Sequence, residues 1–288
     1  MLTKLLKYEL MAEWKKYAII LGGILFLGIS AFATNAMITP GKTRVGDTIH
    51  SLIIMSFTLL CIFALLIVFV FSTMRFYKNM FCDEGYLMNT LPCSAGQHIA
   101  SKMLATYIWC AATSIIIILS VSIAAGDFTW PSDLIIGITA SMNDMREVLP
   151  AEMAESFISF MKKGLAYMAV SLILCPLLYQ IYLNFCIAVG SLFNTHKILM
   201  AVVTFVCVNI VSQVISTIAM FALDFTNSDT FMAMESENLD IASANMIADT
   251  ITSSMNNLLI FSGIFTVVIY GAMVWATHYI MSKKLNLA

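Results

Sequence analysis

Apolar residues fall in six long blocks from which formal charge is absent. Tyr17–Ile38, Ile49–Met74, Met103–Ala125, Gly164–Phe193, Ile198–Leu223 and Leu258–Ile280 contain no Asp, Glu, Lys or Arg, and each is 22 to 30 residues long. About 20 helical residues cross a bilayer core of roughly 30 Å. Only a helix satisfies its own backbone groups in lipid, and a barrel would need short alternating segments that this chain lacks. The pattern predicts an all-α integral membrane protein with six transmembrane helices and one transmembrane domain over residues 1–288. Pro176 near the middle of the longest block predicts a kink or tilt there.

The segments between the blocks are patterned too. Leu2, Leu6, Leu10 and Trp14 recur every four residues, with Lys4, Lys7, Lys15 and Lys16 around them. This predicts an interfacial helix over 1–16 whose lysines reach lipid phosphates. The plainer reading is a cytosolic extension. Segment 75–102 is too long for a tight hairpin and too short for a domain. It holds a short helix-like stretch over 79–87, a break at Leu91-Pro92, and Ser94 placed to cap a helix from Ala95. Only Asn194–Lys197 joins the fourth and fifth blocks. In segment 126–163, Leu149, Met153, Phe157 and Phe160 have helical spacing behind Pro150, and the acidic segment 224–257 is patterned alike. Both predict short amphipathic outer helices.

Composition agrees with lipid as the solvent. Hydrophobic residues make up 60% of the 288, charged residues 11%, and mean hydropathy is +0.89. Globular domains carry about 25% charged residues. A net charge of −2 argues against nucleic acid as a partner. The charges also give an orientation. With both termini in the cytoplasm, ten basic and four acidic residues lie inside, against five basic and thirteen acidic outside. That distribution is the one expected of cytoplasmic termini. Ala31-Phe32-Ala33 has the look of a cleavage site, but Glu9 and Glu13 precede it and the first block reads as a retained anchor.

Catalytic chemistry is not visible. The chain has no zinc-protease or nucleophile-elbow motif, and its four histidines are scattered. Gly41-Lys42-Thr43 lacks the earlier glycine of a nucleotide-binding loop. The expectation is that this chain is no enzyme and holds neither metal nor cofactor. Two neutral polar pairs stand out inside the spans: Gln180 with Asn184, and Asn209 with Gln213, each at i,i+4. They read either as interhelical hydrogen bonding or as the lining of a translocation path.

Three segments carry a family resemblance: Lys4-Leu5-Leu6-Lys7-Tyr8-Glu9-Leu10, then Asp83-Glu84-Gly85-Tyr86-Leu87 with Leu91-Pro92 and Ser101-Lys102, and Gly190-Ser191-Leu192-Phe193-Asn194-Thr195-His196-Lys197. Taken in order with six spans, they resemble the permease subunit of ATP-binding cassette (ABC) type-2 exporters of Firmicutes-type bacteria. The resemblance implies a multi-pass protein of the bacterial plasma membrane, paired as a homodimer or with a similar permease. ATP and Mg would be bound by a separate cytoplasmic ATPase subunit. It also implies that Asn79, Phe81, Asp83, Glu84, Gly85, Tyr86 and Leu87 form the coupling element resting on that ATPase. The implied activity is export of an amphipathic or antimicrobial-type peptide, or another hydrophobic substrate. The alternative is a non-transporting membrane partner that senses a peptide or confers immunity to it. The outer loops depart from the family pattern, which leaves the cargo open.

Overall fold

The computed structural model describes residues 2–37, 44–82, 94–148, 150–193, 196–226 and 241–283. All regular structure among them is helical. The helices are α1 (Leu2–Met37), α2 (Arg44–Phe81), α3 (Ala95–Ala125), α4 (Trp130–Val148), α5 (Ala151–Gly190), α6 (Lys197–Thr226) and α7 (Ile241–Lys283). Six are long and apolar enough to cross a membrane: all but α4. Each charge-free block falls on one of these six, so the chain is a multi-pass helical membrane protein.

The helices outrun the blocks. α1 continues through Lys15-Lys16, α5 through Lys162-Lys163-Gly164 and α7 through the polar stretch 241–257. Charges mark where a chain leaves lipid, not where it stops being helical. A lone glycine costs a helix only about 1 kcal/mol. The expected short helix around Met153 and Phe157 is therefore the first part of a 40-residue helix, which also contains Pro176. Pro150 holds the cap position rather than the first turn. Among the described residues α4 is the one further helix, between α3 and α5 along the chain. It starts where the Trp130 Nε1–H donates to Ser122 Oγ at 2.8 Å. Segment 227–240 lies outside the described residues.

By contact the chain divides into two compact units. One comprises 1–133, 176–184 and 277–288; the other comprises 134–175 and 185–276. In the first, α1 runs along α3, and α2 packs against both. The buried positions of α1 are Glu9, Glu13, Tyr17, Ile24, Gly28 and Ala31, a single stripe at helical spacing. Two apolar clusters fill the three-helix interface: Tyr17, Val68 and Cys110, then Ile24, Phe57 and Ala64. The Tyr17 ring lies 4.5 Å from that of Trp109. Small residues bring α1 and α3 close, as is usual where lipid removes the ordinary hydrophobic drive. A Cβ on Gly28 would collide with Ser120 Oγ, and that hydroxyl donates across the interface to the Ile24 carbonyl at 2.9 Å.

In the second unit, Gly190 at the end of α5 meets the start of α6. A Cβ there would stand 2.7 Å from the Ala201 amide nitrogen. The most apolar stretch of α6 has no buried residue, with Ile198, Val202, Ile210, Ile218 and Phe221 well exposed. Such a surface suits lipid and not water.

Candidate functional site

Four charged side chains that the sequence places at span ends come together in the first unit. α1 supplies Glu9 and Glu13, one turn apart on its buried stripe. α2 supplies Arg75, six residues before its end, and α3 supplies Lys102, seven residues after its start. Lys102 Nζ donates to Glu9 Oε1 at 2.6 Å, and Arg75 Nε donates to Glu9 Oε2 at 2.5 Å. Arg75 Nε also lies 4.0 Å from Glu13 Oε1. The side chains of Glu9, Glu13 and Lys102 are at most 7% exposed, and that of Arg75 is 25% exposed. Two cationic and two acidic side chains share the cluster, and each cation faces a carboxylate, which limits the cost of burying them.

Hydroxyl groups extend the cluster along the same interface. Ser72 on α2 is hydrogen-bonded to Thr106 on α3, whose own Oγ1 donates to the Lys102 carbonyl at 2.9 Å. His98, one turn before Lys102, is 2% exposed, and neither ring nitrogen has a partner among the described residues. The last turns of α7 reach the start of α3, where a Cβ on Gly96 would lie 3.6 Å from His278 Cδ2. Among the described residues no group of three or more His, Cys, Asp or Glu side chains is placed to hold a metal ion.

Of the expected coupling element, Asn79 and Phe81 are among the described residues. Ser94 caps α3 as its position predicts, with its hydroxyl accepting from the Gln97 amide at 3.4 Å. Phe81 at the end of α2 is 8% exposed and meets Phe76 edge-on at 5.8 Å, while Asn79 is half-buried. Asp83, Glu84, Gly85, Tyr86 and Leu87 lie outside the described residues.

The two polar pairs fare differently. Gln180 Nε2 donates to Asn184 Oδ1 at 2.8 Å, and both residues are at most 1% exposed. Gln180 Oε1 and Asn184 Nδ2 have no further partner. Asn209 and Gln213 are exposed on α6; Asn209 Nδ2 donates back to the Phe205 carbonyl at 2.8 Å.

The buried charges were missed as a site because they served as topology markers. One signal was present: Glu9, Glu13 and Tyr17 share a face, as do Leu2, Leu6, Leu10 and Trp14. The structure buries the acidic face, leaving Trp14 53% exposed.

No protein-family model matches the chain, and neither the curated proteins nor the solved structures contain a match.

Proposed function

We propose that this chain is the membrane permease subunit of an ABC-type exporter, driven by ATP hydrolysed in a separate cytoplasmic subunit. The observation that carries the reading is the convergence of three spanning helices on Glu9. α2 and α3, which bracket residues 83–93, are both ion-paired to α1 within seven residues of the ends facing that segment. Force applied to 79–87 by an ATPase would therefore reach three helices together. Long unbroken helices transmit such displacement better than helices broken at the membrane surface.

The finer parts of the proposal follow from charge and pattern. Both termini lie in the cytoplasm, where basic residues predominate. The first turns of α1 lie at the inner interface, with exposed Trp14, Tyr8 and the lysines toward lipid headgroups. Two permease copies, alike or similar, pair about a two-fold axis in a bacterial plasma membrane. Gln180, Asn184, Asn209 and Gln213 offer neutral polar contacts to an amphipathic peptide or similar hydrophobe in transit.

The test is co-expression with an ABC ATPase from the same genome and reconstitution in proteoliposomes. Cationic amphipathic peptides should raise ATP turnover only when this chain is present, and labelled peptide should cross the bilayer with ATP. Peptide binding without ATP-driven movement would favour the sensing or immunity role.

A further inference from the structure

α6 presents two different sides. Ala201, Thr204, Val208, Ser212 and Ala219 recur at helical spacing and are half-buried, with Ala201 against Gly190 of α5. They mark the side by which α6 packs within its own unit. Val203, Val206, Ile210, Gln213, Thr217 and Met220 look away from it, and all six are exposed. Their spacing alternates between three and four residues, the heptad pattern of a helix that pairs along a seam with another helix. Two of the six are polar. The Thr217 hydroxyl donates to the Gln213 main-chain carbonyl at 2.8 Å, so it is satisfied within α6. That bond leaves the Gln213 side-chain amide open. Gln213 stands about 4 Å from the middle of the charge-free block Ile198–Leu223. At that depth there is no water to take its hydrogen bonds, and an amide facing hydrocarbon alone is unfavourable.

We propose that α6 pairs along this seam with α6 of a second copy of the chain, the two Gln213 amides exchanging N–H···O bonds across a two-fold axis. A primary amide carries both donors and an acceptor, so it is complementary to a copy of itself. Two copies inserted the same way are related by an axis along the membrane normal, which sets residues of equal number face to face. Gln213 then meets the partner's Gln213, while Val206, Ile210 and Met220 supply apolar contact on either side. Lipid would cover the apolar positions equally well, but it offers the amide nothing; a second copy covers both. One polar position in an otherwise apolar seam also fixes the register, since any slip separates the two amides. A near-parallel, left-handed crossing is the common one among membrane helices. The inference rests on the pairing of two copies proposed above and names its surface; it does not depend on an ATPase.

Energy transfer between two differently labelled copies of the full chain, diluted in lipid vesicles, measures the dissociation constant. The wild type should associate reversibly. Gln213→Leu should raise the dissociation constant about five- to tenfold, the loss of two side-chain bonds of ordinary membrane strength. Gln213→Asn keeps an amide and should keep most of the affinity. Leucine is well tolerated in lipid, so the first variant should fold as the wild type does. Position separates the seam from a general effect: Thr217→Trp should weaken pairing, whereas Val211→Trp, exposed but turned away from the seam, should not. An unchanged dissociation constant in Gln213→Leu would overturn the seam and leave pairing to another surface. Lower peptide transport in that variant with pairing intact would overturn it too, and would put Gln213 on a path. Wild-type copies that stay apart at every dilution would overturn the seam and the pairing of like copies together. Pairing through the seam without ATP-driven transport would retire the exporter reading alone.

Discussion

Lys102 Nζ of α3 donates to Glu9 Oε1 of α1 at 2.6 Å, with the two side chains 4% and 7% exposed. Removing one partner of a buried pair leaves an uncompensated charge, typically at a cost of about 3–5 kcal/mol. Glu9→Leu should therefore destabilise strongly, since it removes the carboxylate that Lys102 and Arg75 share. Adding Lys102→Met should recover a large part of the loss, because one of the two cations facing that position is gone. Denaturant unfolding in detergent micelles measures both. Equal stability of the single and double variants would mean that the pair is not coupled.

Gly28 of α1 faces Ser120 of α3 across their interface. Gly28→Ala should lower stability by about 1–3 kcal/mol, the usual range for overpacking, because Ser120 must turn away and give up its bond to the Ile24 carbonyl. Combining it with Ser120→Ala should restore only part, since the Ser120 carbonyl oxygen would still be 3.0 Å from the new methyl. Full restoration by the double variant would place the clash in the hydroxyl alone.

Gln180 and Asn184 bond to each other within α5, and each retains one unpaired polar atom. Hydrogen bonds between side chains in membrane helices average about 0.6 kcal/mol, so a double-mutant cycle with Gln180→Leu and Asn184→Leu should give a coupling of that order. If the pair lines a path, peptide transport should fall several-fold in the single variants while thermal unfolding changes little. Unchanged transport at matched expression would leave the pair a packing feature.

The link from α3 to α4 contains an exposed carboxylate with its own donors. The backbone N–H and hydroxyl of Thr129 donate to Asp127 Oδ1 at 2.7 and 2.8 Å, which lowers the Asp127 pKa below its ordinary value of 3.8. A depressed carboxylate contributes stability above the unfolded pKa and loses it as pH falls through the folded one. Thr129→Val should remove the hydroxyl bond and raise the Asp127 pKa, as read from its carboxyl carbon-13 shift during acid titration. An unchanged titration would assign the shift to the backbone donor alone.

How far the sequence could be read follows from what each signal measures. Exclusion of charge is imposed by lipid on every span, so six helices were visible without tertiary information. The Ser94 cap is a local backbone device and was equally plain. Helix limits were less so: Lys15-Lys16 and Lys162-Lys163 mark the membrane surface, yet α1 and α5 pass through them unbroken. The Glu9 cluster depends on residues 66 and 93 positions apart meeting through helix packing. No local pattern records that. Counting charges by side of the membrane spread them over one face, whereas burial gathers four of them into one group.

The central claim is that residues 79–87 meet an ATPase, and cross-linking in the native membrane tests it most directly. A photoreactive amino acid is placed at Tyr86 or Leu87, and at Glu237 in the acidic segment on the predicted outer side. Irradiation of cells co-expressing an ABC ATPase from the same genome should give an adduct of this chain with the ATPase from Tyr86 or Leu87 and none from Glu237. Glu84→Arg should weaken that adduct without lowering the amount of folded chain. An adduct from Glu237, or none from either inner position with both proteins present, would contradict the account.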